Sequence, residues 1–257
     1  MVVEKQPDNG PEPSLFEAGI FLVDKPVGPS SFAMVQQVRR ALNIRKVGHS
    51  GTLDPFASGL LVICAGRRAT RIIPRLMAGD KEYEAVLRLG IETDTMDHEG
   101  EVLARRPVEG ITGERLHRCL AGFVGSRQQT PPAFSALKHK GKPLYYYARR
   151  GIEVIKEPRL IEITTLDCLA FEEELVTIRV VCGKGTYIRS LASDIGRELG
   201  CGAHLAGLRR LRNGPFTVAD SIPGDGLAER QAGRQLLLRG HLEVDEVEEL
   251  LQRQANA

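Results

Sequence analysis

The chain has 257 residues, of which 42% are hydrophobic and 26% are charged, and its formal net charge is +2. This is the composition of an ordinary soluble globular protein with one large domain or two smaller ones, and so small a net charge says little about partners. No apolar run approaches the roughly 20 residues that span a bilayer, so we predict no membrane partner.

The cysteines are odd in number, widely spaced and mostly set among apolar neighbours. This pattern predicts buried, reduced thiols and therefore a cytoplasmic protein. No Cys-x-x-Cys pair exists, and the pair Cys201 and His204 needs two further ligands to hold zinc, so we predict no metal site. The cysteines are Cys64, Cys119, Cys168, Cys182 and Cys201.

Residues 1–14 are polar, contain prolines and lack a basic-then-apolar signal, which predicts a flexible N-terminal tail. Residues 20–23 form an apolar run typical of a strand. Residues 24–31 combine turn residues with a serine that suits a helix N-cap. A helix is expected next, because apolar residues recur there at helical spacing. These residues are Phe32, Val35, Val38 and Leu42.

Residues 46–61 form a glycine-rich loop that carries His49 and Asp54 ahead of an apolar run. Glycine lets the backbone approach a bulky ligand, and Pro55 biases Asp54 towards an extended conformation. A short carboxylate displayed in this way suits a nucleophile or a general base. The competing interpretation is a turn in which Asp54 caps neighbouring amides.

Further along, the sequence predicts a buried strand at 60–64 and a basic turn and helix at 66–75. A half-buried strand follows from Tyr83, where apolar residues alternate with others, and a tyrosine on such a face is ordinarily a core residue. Asp94 and Asp97 lie in a turn, where two carboxylates more often bond backbone amides than a metal. Thr112 suits the N-cap of another helix.

Residues 129–151 mix prolines, aromatic residues and Lys or Arg, the composition of a surface that stacks bases and follows phosphates. A proline-rich linker is the alternative, but residues 144–150 are too aromatic and regular for one. We therefore predict a mobile arm with a short helix. Basic residues cluster here and beside three other glycine-containing motifs, which favours phosphate contacts. The clusters lie at 39–46, 67–71, 138–150 and 209–212.

Strands are predicted at 160–169 and 176–182, and the second leads through a glycine-rich turn into a helix that Gly200 ends. The turn lacks the leading glycine of a phosphate-binding P-loop, and no G-x-G-x-x-G follows a strand. The sequence therefore predicts no cofactor. One or two helical stretches are expected over 236–251.

Several ordered segments between about residues 19 and 216 resemble the TruB family of tRNA pseudouridine synthases. They are Asp-Lys-Pro-x-Gly-x-x-Ser from Asp24, Gly-His-Ser-Gly-Thr-Leu-Asp-Pro from Gly48, Lys-x-Tyr from Lys81, residues 129–151, Gly-Thr-Tyr-Ile-Arg from Gly185 and residues 202–216. The resemblance implies an α/β (α+β) fold, in which helices flank a mixed, largely antiparallel central sheet. It also implies that about residues 127–151, here called the thumb, are an insertion that grips the T loop of tRNA.

The resemblance further implies roles for single residues. Asp54 is the catalytic aspartate, Tyr83 stacks on the target base, and Leu208 lines the base pocket. Because burial raises the pKa of a carboxyl group, Arg189 is expected to pair with Asp54 and to reverse that tendency. His49 is expected to fill the space left by the extruded base, although a lone histidine is more often a structural hydrogen-bonding residue.

Lys25, with Pro26, is expected to support the catalytic loop. The family often has tyrosine at the position of Phe134, and phenylalanine preserves stacking but not a hydroxyl hydrogen bond. Contacts with RNA are expected from Phe134, Lys138, Arg149, Arg209 and Arg210.

The predicted function is isomerisation of uridine to pseudouridine at position 55 in the T loop of tRNA. Residues 15–220 are expected to form the catalytic domain, and residues 221–257 a helical tail too short for the C-terminal RNA-binding domain of many members. The expected partner is tRNA without a guide RNA, bound by a monomer. The sequence does not choose among three mechanisms for Asp54: addition to uracil C6, addition to C1′, or help in removing the C2′ proton. A non-catalytic RNA-binding or chaperone module and a carboxylate-based nucleoside hydrolase are the competing functions.

Overall fold

The computed structural model describes residues 16–255, so the predicted tail of residues 1–14 lies outside the described residues. The strands are β1 (Gly19–Lys25), β2 (Val47–His49), β3 (Ser58–Ala65), β4 (Lys81–Leu89), β5 (Ile91–Thr93), β6 (Val102–Arg105), β7 (Gly125–Gln129), β8 (Lys138–His139), β9 (Lys142–Pro143), β10 (Arg159–Glu172), β11 (Leu175–Cys182), β12 (Ala203–Asn213), β13 (Phe216–Thr217), β14 (Ile222–Pro223) and β15 (His241–Leu242). The helices are α1 (Ser31–Leu42), α2 (Arg67–Arg71), α3 (Ile73–Ala78), α4 (Gly113–Ala121), α5 (Leu144–Ala148), α6 (Ile188–Glu198), α7 (Arg230–Arg239) and α8 (Val244–Ala255), and 3-10 turns lie at Val218–Asp220 and Gly224–Leu227.

One large sheet runs through the molecule in the order β14-β1-β3-β12-β4-β11-β10-β7, with β13 beside β12, β15 beside β1 and β2 beside β3. Its pairs are antiparallel except β1 with β14 and β3 with β12. Strands β5 and β6 form a separate hairpin, and so do β8 and β9. The predicted mixed, largely antiparallel sheet flanked by helices is therefore confirmed.

Helices cover both faces of the sheet at β1 and β3, because alternate residues of a strand point to opposite faces. Phe21 and Ile63 pack in one core cluster with the apolar face of α1. Their neighbours Leu22 and Val62 pack in another cluster with residues of α2, α3 and α8. A third cluster joins α4 and α6 to β4, β10, β11 and β12. The strands that carry the candidate site residues therefore rest on a continuous apolar support.

Helix α1 begins as predicted, with the Ser30 side chain accepting a hydrogen bond from the amide of Ala33. The prediction that Phe32 belongs to its buried face was wrong, since Phe32 is 59% exposed. At about 100° per residue, Phe32 lies about 120° from Val38, whereas Met34 lies within about 40° of it. The buried face therefore runs through Met34 instead.

Most other element predictions are confirmed. Thr112 accepts a hydrogen bond from the amide of Arg115 and caps α4, and the predicted strands at 160–169 and 176–182 lie within β10 and β11. The predicted basic helix at 66–75 is two helices, because Pro74 in the first turn of α3 has no amide hydrogen to continue α2. Strand β12, at the centre of the sheet, was missed by the sequence analysis.

The acidic residues near the C-terminus lie against one of the basic clusters. Arg68 contacts Asp245 at 2.6 Å, and Arg75 contacts Glu248 at 3.1 Å, so α8 covers part of the charge of α2 and α3. Both pairs are solvent-exposed, and such pairs contribute little to stability. Val244 and Val247, which are buried, hold α8 in place.

Strand β3 approaches β12 too closely for a side chain at one position. Gly59 has φ +100° and pairs with Arg210 across the parallel ladder. A Cβ at Gly59 would lie 2.6 Å from the backbone nitrogen of Arg210 and would collide with its carbonyl oxygen. Only glycine fits there, because both the positive φ and the contact exclude an L side chain.

We expect Gly59→Ala to lower the free energy of unfolding by at least about 4 kcal/mol, since backbone strain and a backbone collision add at one site. Gly125→Ala is the matched control, because Gly125 has φ +102° and nothing within 4 Å of the added Cβ. It should cost only about 1–2 kcal/mol. Urea unfolding of both variants measures the difference, and equal losses would contradict the close approach.

Candidate active site

The loop between β2 and β3 carries Asp54, and the residues on either side of it are fixed by β1 and α1. The Ser31 hydroxyl accepts from the amide of Leu53 at 2.8 Å and donates to the Leu53 carbonyl at 2.9 Å. The amide of Gly28 donates to the carbonyl of Pro55 at 2.8 Å. The carboxylate is therefore displayed from a loop whose backbone is bound both before and after it.

Lys25 lies beneath this loop and is completely buried. Its ammonium donates to the carbonyl oxygens of Pro26 and Pro29, both at 2.8 Å, and of Pro55 at 3.3 Å. Burial lowers the pKa of Lys25 to about 8, although the charge of Asp54 opposes this shift. The placement fits the expected support of the loop, and burial removes Lys25 from direct contact with RNA.

Arg189, in the first turn of α6, faces Asp54. Its Nε lies 3.0 Å from Oδ2 of Asp54, and the same guanidinium lies 3.4 Å from Oδ2 of Asp97. It also donates to the carbonyl oxygens of Thr95, at 3.0 Å, and Phe134, at 2.7 Å. The side chain of Arg189 is only 6% exposed, whereas that of Asp54 is 33% exposed. Asp54 is thus the member of the pair that a ligand can reach.

Burial raises the pKa of Asp54, and Arg189 opposes the shift without cancelling it. The expectation that the guanidinium reverses the effect of burial was therefore wrong. The physical reason is that the effect of burial is larger than that of the guanidinium, and the negative charge of Asp97 raises the pKa of Asp54 further.

Tyr83 and Leu208 come to the same place from the adjacent strands β4 and β12. Both line a cavity of about 260 Å³ together with Asp54 and Arg189. Burial raises the pKa of the Tyr83 hydroxyl, and the neighbouring charge of Arg210 opposes this shift. The structure therefore brings four predicted residues, from four separate segments, to one cavity.

Arg210 does not lie where it was predicted. It is 1% exposed, and its guanidinium donates to the carbonyl oxygens of Leu60, at 2.6 Å, and Gly51, at 3.2 Å. The prediction that Arg210 meets the RNA backbone on the surface is wrong, because the alternation of β12 turns this side chain inward. It instead ties the loop that carries Asp54 to β3.

The neighbouring Arg209 points the other way and pairs with Asp24. Two contacts, at 2.7 and 3.0 Å, join the guanidinium to the two carboxylate oxygens. The side chain is 39% exposed, so it remains at the surface with its charge balanced by Asp24.

His49, the last residue of β2, is half-buried beside the cavity. Its Nδ1 accepts a hydrogen bond from the amide of Gly51 at 3.3 Å. Burial, together with the charge of Arg210, lowers the pKa of His49, which favours a neutral ring with its proton on Nε2. His49 thus makes a structural hydrogen bond, and its expected place in the vacated base stack stays a prediction.

The base of the thumb is bound to the start of α6. The Gln129 side chain donates to the carbonyl of Tyr187 at 3.1 Å and accepts from its amide at 2.8 Å. The Ser190 hydroxyl donates to the carbonyl of Thr130 at 3.0 Å. With the bond between Arg189 and the Phe134 carbonyl, these contacts place the thumb over the cavity.

The outer part of the thumb is basic and aromatic, and it contains the predicted short helix, α5. Lys138 and Arg149 are exposed, and Phe134 is half-buried. The guanidinium of Arg150 lies 3.7 Å from the ring centre of Tyr146, and the Lys142 ammonium lies 4.1 Å from it. The surface that was expected to contact RNA is therefore present, with cations stacked on rings.

The sequence analysis missed two residues of the site. Asp97 bonds the amide of Glu99, as predicted for a turn, but it also pairs with Arg189. Lys81 lines the cavity and donates to the carbonyl of Met77 at 2.5 Å, and burial lowers its pKa to about 8. Lys81 belongs to the Lys-x-Tyr motif, but no local signal places either side chain at the site, because both placements depend on tertiary contacts.

Two classes of feature are absent from residues 16–255. No group of three or more His, Cys, Asp or Glu side chains is placed to hold a metal ion. No helix is long and apolar enough to cross a membrane.

Comparison with known proteins finds the same family along nearly the whole chain. Residues 39–188 match the N-terminal domain of the TruB family pseudouridylate synthases, and residues 189–251 match the tRNA pseudouridylate synthase B C-terminal domain. A tRNA pseudouridine synthase B of Desulfotalea psychrophila is 54% identical over 92% of this chain and 98% of its own length. One of Bordetella pertussis is 48% identical over 86% of this chain and 91% of its own length.

Solved structures are similar as well. The match in a Cbf5–Nop10–Gar1 complex has a TM-score of 0.63 and 30% identity, and it covers 85% of this chain and 59% of the matched chain. The match in an H/ACA RNP bound to a substrate RNA containing 2′-deoxyuridine has a TM-score of 0.62 and 26% identity, over 88% and 59%. The present chain therefore spans about three-fifths of those two chains.

The buried Lys25 gives a testable dependence of stability on pH. Its pKa falls from 10.5 in the unfolded chain to about 8 in the folded protein, so between these values the unfolded state binds more protons. Stability from this group therefore rises with pH. We expect Lys25→Met to be less stable than the parent by about 2 kcal/mol at pH 7, and the gap to widen by about 2–3 kcal/mol at pH 10.

Urea unfolding at pH 7, 8, 9 and 10 measures this gap. The parent and the variant share the same thiols and tyrosines. The titration of these groups therefore cancels when the two free energies of unfolding are subtracted at each pH. Lys140→Met is the control. Because Lys140 is exposed, the difference in free energy of unfolding between this variant and the parent should not change with pH. If the difference in free energy of unfolding between the parent and Lys25→Met becomes smaller as the pH rises, the burial of a charged ammonium is contradicted.

Proposed function

The chain belongs to the TruB family of pseudouridine synthases, and from that premise we propose that it converts uridine to pseudouridine at position 55 in the T loop of tRNA. Family membership makes it an isomerase that acts on tRNA. The target position and the use of Asp54 are the proposed part. The observation that carries the proposal is the contact of Asp54 with Arg189 in the wall of the cavity that also holds Tyr83.

The reaction breaks the N1–C1′ bond, turns the uracil and joins C5 to C1′, with no net oxidation. It needs an anionic group held against the nucleoside. Asp54 supplies a carboxylate in the wall of the cavity, and its side chain is 33% exposed. Arg189 orients this carboxylate through contacts at 3.0 and 3.5 Å, and its charge opposes the rise in the pKa of Asp54 that burial causes. Addition to C6, addition to C1′ and removal of the C2′ proton all remain open to a carboxylate in this position.

Tyr83 and Leu208 supply the apolar faces for the uracil. Tyr83 packs in the core cluster that includes β4, which holds its ring at the cavity, and its raised pKa favours a neutral hydroxyl. One such stack is worth about 1–3 kcal/mol, while extruding a base costs a few kcal/mol. Further contacts are therefore needed, and we assign them to His49 in the vacated space and to the thumb.

The thumb and the domain boundaries complete the proposal. Phe134, Lys138 and Arg149 are proposed to grip the T loop, with Arg209 at the edge of the interface. We place the catalytic domain at residues 15–220 because β12, which ends at Asn213, pairs with both β3 and β4. Residues 221–257 are then a short extension, which adds strands β14 and β15 to the sheet beside β1 as well as helices α7 and α8.

We propose that tRNA alone is the partner, without a guide RNA, and that the protein acts as a monomer in the cytoplasm. The five cysteines are free thiols, which suits a reducing compartment.

Replacing the catalytic carboxylate should abolish isomerisation while leaving binding in place. With tRNA labelled by tritium at uridine C5, the parent releases label to water, and Asp54→Asn should release it at least about 10³-fold more slowly. A gel shift should show that Asp54→Asn still binds tRNA. Asp94→Asn is the control, since Asp94 is exposed in a turn and bonds the amide of Glu101. Undiminished release by Asp54→Asn would refute its assignment, and binding by the parent without any release would favour a non-catalytic module.

The target position is tested by mapping pseudouridine in a T stem–loop transcript after incubation with the protein. We expect one modified nucleotide, at position 55, and none when that uridine is replaced by cytidine. A hairpin with the same stem and a scrambled loop is the control for recognition of the T loop. Modification at another uridine would overturn the positional assignment while leaving the family's chemistry intact.

A further inference from the structure

Ser135 lies in the thumb, next to the residue whose carbonyl binds Arg189. It is 4% exposed and lines the same cavity as Asp54 and Tyr83. Its backbone is fixed, because the amide of Tyr145 donates to the Ser135 carbonyl at 3.1 Å. The Ser135 side chain is therefore held at the wall of the catalytic cavity by contacts on both sides.

The hydroxyl of Ser135 has no hydrogen-bond partner among residues 16–255, although its oxygen is buried. Three other hydroxyls at or near the cavity are bonded. Thr186 donates to the carbonyl of Gly183 at 3.1 Å, Ser190 donates to that of Thr130 at 3.0 Å, and Ser50 accepts from Asn213 at 3.0 Å. Leaving a buried hydroxyl unbonded costs free energy, so a serine in this position calls for an explanation.

We propose that the Ser135 hydroxyl is a binding group for the target nucleotide and forms its hydrogen bond when the extruded nucleoside enters the cavity. This inference rests on the proposed function, since it takes the cavity to be the place of the target uridine. A hydroxyl both donates and accepts, so it suits a pyrimidine carbonyl, a ring N–H or a ribose hydroxyl. The thumb thereby contributes to the pocket itself as well as to the grip on the loop.

The proposal makes opposite demands on stability and on binding. In the free protein Ser135→Ala removes an unbonded polar group, so the midpoint of thermal unfolding should stay the same or rise. In the complex the same change removes a hydrogen bond to the nucleotide, so KM should increase about 10-fold with kcat little changed. A purely structural serine gives the reverse, a loss of thermal stability with KM unchanged.

The experiment measures thermal unfolding and label-release kinetics of Ser135→Ala against the parent on one T stem–loop transcript. Ser190→Ala is the matched control for stability, because its buried hydroxyl has a protein partner and its loss should lower the unfolding midpoint. An unchanged KM for Ser135→Ala, as expected if a trapped water satisfies the hydroxyl, overturns the inference. If the parent itself makes no pseudouridine at position 55, the proposed function fails, so the two failures are distinguishable.

A second arm identifies the bonded group. In the Asp54→Asn background, affinity is measured by fluorescence anisotropy for transcripts with uridine or 2′-deoxyuridine at the target position, with and without Ser135→Ala. If the Ser135 hydroxyl bonds the ribose 2′-hydroxyl, the loss of affinity from Ser135→Ala and the loss from 2′-deoxyuridine do not add. If it bonds the base, the two losses of affinity add. Affinity that is insensitive to Ser135→Ala on both transcripts overturns the inference.

Discussion

The guanidinium of Arg189 is the group on which the arrangement of the site depends. It contacts Asp54 in the loop between β2 and β3, Asp97 and Thr95 in the turn after β5, and the carbonyl of Phe134 in the thumb. Three segments far apart in the chain therefore meet on one buried cation. A buried charge is tolerated only when it is paired and hydrogen-bonded, so the same contacts that satisfy Arg189 also fix the positions of the segments around it.

A second set of buried cations holds the loop from below. Lys25 and Arg210 both donate to backbone carbonyls, which include Pro55 on one side of Asp54 and Gly51 on the other. Carbonyl groups that are used in this way are not free to bond water or to rearrange. The loop is thus prepared before any ligand arrives, which is the condition for electrostatic stabilisation without reorganisation during the reaction.

How far the sequence predicts this structure depends on whether the signal is local. The motifs that resemble the TruB family selected Asp54, Tyr83, Arg189 and Leu208, which meet in the cavity, whereas the alternation in β4 by itself predicts Tyr83 as a core residue. Strand β12 was missed because its ladder with β4 has irregularities between Leu205 and Gly207 and between Arg210 and Arg212, which break the two-residue period. The burial of Lys25 and the sharing of Arg189 by two carboxylates follow only from tertiary packing, which no local pattern encodes.

Two polar groups at the cavity differ from the residues that hold the site together. Among the supporting residues, Gln129 makes a reciprocal pair with Tyr187, and Lys25 has three carbonyl partners. Asp54 and Ser135, which line the cavity, are less well satisfied. Burial leaves Asp54 with a raised pKa, and Ser135 keeps an unbonded hydroxyl. Polar groups that are destabilised in the free protein and line one cavity gain most when a ligand supplies their missing partners, so under the proposed function the interaction energy is released at the bound nucleotide.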